Sequence, residues 1–279
     1  MWYGKMITLG LAFILMVASG PGRAAVLSDA EILNRTASLR TLAVSAAKHY
    51  VNGASQIQVA ESRASMGASA AAFGENLRLL RMQAPNTHAR NGLKQLDHEW
   101  TEFRAMLEAK PSMEQVERLI ETSSKLVFLA DSLVSNWRGL ASDRDLEALN
   151  LAHMQAMLSE RIGLLYSAHY YGLTNDWIVM ELNATLHEYE RGLGFLDRFL
   201  NNEQTVADHL EQVSNQWAYA KQGFSRFNQG QYLPKVIAVT VDSMGNEMAE
   251  MARYYTALHE DKRESIVTLS VPGLAANME

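Results

Sequence analysis

The stretch LNRTASLRTLAVSAAKHY, residues 33–50, decides the fold. Leu33, Ala37, Val44, Ala47 and Val51 recur at helical spacing, and the one charged residue on that stripe is Arg40. An arginine on a core stripe must find an anion or reach back to water. Shifted by 116 positions, the stretch falls on LNLAHMQAMLSERIGLLY, residues 149–166. Leu33, Asn34, Leu42 and Tyr50 then meet Leu149, Asn150, Leu158 and Tyr166. Further on, Phe73, Leu77 and Leu80 meet Tyr189, Leu193 and Leu196, and Trp100 nearly meets Trp217. Matches in constant order at apolar positions mark two copies of one unit of roughly 115 residues.

Helix punctuation divides each copy into four. In the first, Ser28-Asp29 caps a helix running to Asn52-Gly53. A second runs from about 56 to 83, before Pro85. A third starts after Asn86-Thr87 and ends near Lys110-Pro111, and Ser112 caps a fourth that ends near Gly139. In the second, Asp143 or Asp145 opens a helix ending near Gly172, and another spans Thr174-Asn175 to Asn201-Asn202. The last two cover about 203–228 and 234–263. No strand alternation appears, so the fold class is all-α. Short connections favour two tandem up-down four-helix bundles. The link at 139–145 holds no proline, so the fourth helix is expected to run almost continuously into the fifth, giving an elongated helical rod. The expected boundaries are a signal peptide over 1–24, bundles over 25–140 and 141–266, and a loose tail over 267–279.

Hydrophobic residues make up 48% and charged residues 20%, which places the chain among globular proteins. Its net charge of −6 and lack of a basic run argue against nucleic acid as a partner. Lys5 followed by the apolar run 7–18 and by Gly22-Arg23-Ala24 reads as a signal peptide cleaved near Ala24. That run is short for a membrane span, so a periplasmic protein is expected, with an uncleaved inner-membrane anchor as the alternative. Without Lys5 and Arg23 the net charge becomes −8. There is no cysteine, which excludes disulfides, thiolate metal sites and cysteine nucleophiles.

Enzyme and metal signatures are missing from the sequence. None of the eight histidines follows a glutamate by three positions, and no His-x-x-x-His pair occurs. His153 and His169 stand sixteen residues apart, too far for one mononuclear site on a single helix. The methionines read as bundle filler rather than haem ligands. G-x-S-x-G, P-loop and dinucleotide patterns are absent. Asp97 and Glu99, like Glu188 and Glu190, sit two apart and face different sides of a helix. A non-enzyme without metal or cofactor is the expectation.

The first helix carries the remaining chemistry. Asn34, Ser38, Thr41, Ser45 and Lys48 follow one side, and Arg35 and Arg40 add positive charge within three turns. Arginine's planar fork suits a small oxyanion, with hydroxyls and amides completing the shell. The candidate ligand-binding residues are therefore Arg40, Asn34, Ser38 and Thr41. The competing reading gives Arg40 a carboxylate on a neighbouring helix.

The run N-x-x-A-S-L-R-T-L at 34–42 resembles the P-box of nitrate/nitrite sensor kinases of the NarX type. The run at 150–166 is similar to the N-terminal domain of type IV pilus methyl-accepting chemotaxis transducers of the PilJ type. The resemblance covers almost all of 28–265 as two copies. It implies an extracytoplasmic four-helix sensor domain binding nitrate or nitrite where two subunits meet, with Arg40 in the place of the P-box arginine. At the equivalent position the second copy has Ala156. Arg161 matches a later arginine of the pattern, whose first-copy counterpart is Ser45, and Ala37 and His153 replace family glycines. The family's transmembrane and cytoplasmic signalling segments do not follow in this sequence. The expected role is thus a stand-alone sensory or ligand-binding module that relays to an envelope or inner-membrane signalling protein. The alternative is a periplasmic structural adaptor with a degenerate sensor domain. The resemblance also implies a homodimer, unless the two copies pair with each other inside one chain.

Overall fold

The computed structural model describes residues 26–137, 143–200, 204–224, 227 and 230–270. The described residues form eight helices: α1 (Asp29–Ala54), α2 (Val59–Gln83), α3 (Thr87–Glu108), α4 (Met113–Asn136), α5 (Arg144–Tyr171), α6 (Asp176–Leu200), α7 (Gln204–Phe224) and α8 (Pro234–Ser270). Among these residues there is no strand, and no helix is long and apolar enough to cross a membrane. The leader read over 1–24 lies outside the described residues.

Local chemistry starts the helices where the sequence places them. Ser28 closes a capping box with Glu31, each side chain bonding the other's backbone amide. Asn86, Ser112 and Asp143 cap α3, α4 and α5 through their side-chain oxygens. Gly172 ends α5 at φ +118°, a conformation that costs glycine least. Ser28 also donates through Oγ to Glu260 Oε1 on α8, at 2.7 Å. Ser28→Ala removes the cap and this tie together, and is expected to cost about 1–2 kcal/mol in urea unfolding.

α1 and α5 are the centre of the molecule. α1 packs on α2, α4, α5 and α8, and α5 packs on α1, α6 and α8. Both are buried around most of their circumference, polar residues such as Arg40, Lys48, His153 and Glu160 included. Alanines line the contact, with Ala37, Ala43 and Ala47 on α1 and Ala148, Ala152 and Ala156 on α5, all at 0% exposure. The two helices run parallel, because ascending residues of one meet ascending residues of the other. Asn34 meets His153, Lys48 meets Glu160 and Asn52 meets Ser167. Sequence neighbours such as α1–α2, α3–α4, α5–α6 and α7–α8 are antiparallel, as Ser45–Ser69, Glu99–Lys125, Arg161–Glu181 and Gln216–Ser243 show beside Ser38–Asn76, Gln115–Met106, Arg144–Phe199 and His209–Glu247.

This arrangement departs from the expected rod. Trp137 after α4 and Asp143 before α5 both have extended backbone, so neither helix approaches the link as helix. The direct course of the link falls on 138–142, outside the described residues. The halves lie side by side along α1 and α5, since an end-to-end rod would leave an apolar face of each helix in water. A second departure is α8, which continues to Ser270, past the tail boundary at 267. The first helix-breaking residue there is Pro272.

Residues matched by the 116-residue shift take equivalent places. Phe73 stacks on Trp100 with ring centroids 3.9 Å apart, and Tyr189 packs on Trp217 at 4.9 Å. Tyr50 donates its hydroxyl to the Ala109 carbonyl in the α3–α4 connection. The Tyr166 hydroxyl accepts from the Leu233 amide in the α7–α8 connection.

Candidate functional site

Arg40 is 1% exposed and its guanidinium is taken up by protein acceptors. Nη1 donates to Asp131 Oδ1 of α4 at 2.6 Å, Nη2 to Asn150 Oδ1 of α5 at 2.8 Å, and Nε to the Ala37 carbonyl at 3.2 Å. Burial pulls its pKa below the ordinary value and Asp131 opposes that pull, leaving the group a cation. An anion bound at Arg40 has to displace Asp131. The competing reading of the sequence, a neighbouring carboxylate, describes this contact.

The other three candidates, Asn34, Ser38 and Thr41, line a groove of about 420 Å³ bounded by α1, α2, α5 and α8. That volume suits a small molecule. Arg40 is not among its lining residues; the arginines there are Arg35 and Arg253. Arg35 Nη1 donates to Asn76 Oδ1 at 3.0 Å, while its Nε is buried with no hydrogen-bond partner. Asn76 Nδ2 donates to Ser38 Oγ at 2.9 Å, and Ser38 Oγ donates to the Arg35 carbonyl. Arg253 is held by Glu250 on its own helix. Asn34 Oδ1 lies 2.6 Å from His153 Nε2, which leaves the Asn34 amide to donate into the groove. Burial, Arg40 and Arg253 together push the His153 pKa down to about 3, so the ring is neutral at ordinary pH. At the opposite end stand Glu31 and Glu260, each bonded to Ser28.

The second half has a matching groove of about 640 Å³. Five of its lining residues, Leu151, Met154, Leu158, Glu188 and Gly192, are the 116-shift equivalents of Arg35, Ser38, Leu42, Ala72 and Asn76. The arginine, hydroxyl and amide of the first floor have become leucine, methionine and glycine. Ala72 is matched by the charged Glu188, and the second groove carries its own polar residues at other positions, Gln155, Glu190, Arg191 and Arg198.

Lower on the seam lies a separate charged cluster. Lys48, 0% exposed, places Nζ 2.6 Å from Glu160 Oε2 of α5 and against Asp242 Oδ1 of α8. Burial alone would lower the lysine's pKa, but the two carboxylates outweigh it and hold the pKa above its ordinary value. His49, Glu160 and Asp242 offer ligand atoms within 4.8 Å of one another. Lys48 stands among them, so an ammonium supplies the positive charge there. A second convergence, Asp143, Asp145 and His259, sits at the α5 N-terminus, where Asp143 Oδ1 accepts from the Asp145 and Leu146 amides and Lys262 pairs with Asp145.

Of the α1 residues that line the groove, the sequence reading names Asn34, Ser38 and Thr41 as candidates and Arg35 as added charge; it centres the site on Arg40, which does not line the groove, and does not single out Glu31. Asn76 and Arg253 gave no signal, since each is one polar residue among many on a helix whose packing partner is not written locally. Searches against family models, curated proteins and solved structures find no match to this chain.

Proposed function

We propose that the chain is a ligand-binding module taking a small oxyanion-bearing molecule in the groove between α1, α2, α5 and α8. The observation that carries this reading is an arginine of the groove, Arg35, with a buried Nε that no protein acceptor takes up. Its counterpart in the second half is Leu151. The anion contact belongs to Arg35, whose buried Nε is unpartnered, together with Arg253. Asn34, Ser38, Thr41 and Asn76 complete the polar lining, and Arg40 sets the position of α1 against α4 and α5.

In the same proposal the two halves are PilJ/NarX-like four-helix bundles. The parallel α1–α5 seam takes the place of the two-subunit interface that the resemblance implies, so one chain holds both sides. The module is exported to the periplasm and passes ligand occupancy to an envelope partner. Nitrate and nitrite are the first anions to test.

Thermal unfolding of the purified chain in nitrate, nitrite, sulfate and phosphate tests the reading. An anion at 100 times its dissociation constant is expected to stabilise by about 2.7 kcal/mol. Arg35→Ala should abolish the shift and Arg40→Met should lower the melting point while retaining it. A shift that survives in Arg35→Ala removes the groove from consideration. The second reading, a structural adaptor, is favoured by exposed Phe128 on α4, Met180 on α6 and Tyr219 on α7. Absence of any shift with the inorganic anions and with organic carboxylates and amino acids decides for it.

A further inference from the structure

The groove is charged at both ends, and this points to a ligand charged at both ends. On α1, Glu31 precedes Arg35 by one turn. On the antiparallel α8, Glu260 follows Arg253 by two turns. The Ser28–Glu260 bond places the two acids at the same end, so the two arginines share the next level. At 1.5 Å rise per residue, the acidic and basic levels are about 6–10 Å apart along the helices. Ser28 engages Glu31 Oε2 and Glu260 Oε1, holding both carboxylates in place. Thr256, Asn34 and the neutral ring of His153 line the groove between the levels.

Resting on the binding reading above, we propose that the ligand is a small zwitterionic amino acid. Its carboxylate meets Arg35 and Arg253, and its ammonium meets Glu31 and Glu260. A monovalent inorganic anion uses only the basic level and leaves the acidic one unanswered. A cation is opposed by the arginines. A molecule carrying both charges satisfies both levels, and at about 420 Å³ the groove has room for its carbon chain. The matching groove of the second half has Leu151 and Gly192 where Arg35 and Asn76 stand and carries its arginines and acids at other positions, so the site proposed is that of the first groove.

Titration calorimetry of the full chain tests this with two series: glycine, β-alanine, γ-aminobutyrate and 5-aminopentanoate, and the carboxylates of the same lengths without the amine. One amino acid is expected to bind at a stoichiometry near one, at least tenfold tighter than its deaminated counterpart. Glu260→Gln keeps an acceptor for Ser28 and should erase that advantage, bringing amino-acid affinity down to that of the plain carboxylate of the same length. Arg35→Ala should abolish binding of both series. An unchanged melting point in Glu260→Gln confirms that its effect is local. Equal affinity of amino acid and plain carboxylate overturns the zwitterion and leaves the anion reading standing. No binding by either series also overturns it, and the inorganic anion series then decides whether the groove binds at all.

Discussion

Lys48→Met should unfold about 3–5 kcal/mol more readily than the native chain at neutral pH. The substitution keeps the stem's volume but leaves Glu160 buried on the α1–α5–α8 seam without its cation. Glu160 is 7% exposed, and its pKa already lies above the ordinary range because burial outweighs the attraction of Lys48, with Asp242 adding repulsion. Without the ammonium it must take up a proton or draw in water. The loss is therefore largest at high pH and shrinks on acidification as Glu160 protonates. Adding Glu160→Gln and Asp242→Asn to Lys48→Met should recover most of the loss, because the cost comes from the orphaned charges. Urea unfolding of the single and triple variants at pH 6 and 8 measures this. A single variant as stable as the native chain would show that the cluster contributes nothing net. Arg40→Met should cost less, since its partner Asp131 is 40% exposed and can hydrate.

Acidification should weaken the fold through His153. Its folded pKa of about 3, set first by burial and then by Arg40 and Arg253, lies below the ordinary value of 6.5. Between those values the unfolded chain binds the proton and the folded chain does not, so stability falls as pH drops through this window. From pH 7 to pH 5 the loss is about 2 kcal/mol from this residue. His49, whose pKa burial and Lys48 push down to about 4, loses stability in the same direction. Glu160 acts oppositely, because a carboxyl with a raised folded pKa contributes stability that is lost as pH rises. His153→Gln isolates the first effect: it retains a donor toward Asn34 but cannot titrate. Denaturant unfolding at the two pH values should show about 2 kcal/mol less acid sensitivity in the variant. Equal sensitivity in both chains would mean that His153 is hydrated and titrates normally in the folded state.

The parts of the fold that depend on neighbours in sequence were legible without coordinates. Caps at Ser28, Asn86, Ser112 and Asp143 are satisfied within three residues, so the residues that make them also announce them. The 116-residue shift paired Phe73 with Tyr189 and Trp100 nearly with Trp217, and those four side chains form matching aromatic contacts between α2 and α3 and between α6 and α7. Arg40 on the apolar stripe reads as needing an anion or water and is assigned to a small ligand, with a neighbouring carboxylate as the competing reading; the structure gives it Asp131. Its supplier was not legible: Asp131 lies 91 positions away, and any of several acids had the same claim.

The sequence by itself determined the all-helical class and where most of the helices start, because helical periodicity and capping act within a few residues. Only the tertiary structure decided that those two helices lie side by side and parallel. That choice follows from the alanine stripes of the two helices, which let the backbones approach closely, and from polar partners that meet only across the seam. The same packing brought Arg35, Asn76 and Arg253 into one groove from α1, α2 and α8, and buried Lys48 between carboxylates of α5 and α8. Long-range charge pairing is set by which helices touch and at what register, and no residue on one helix carries that information alone.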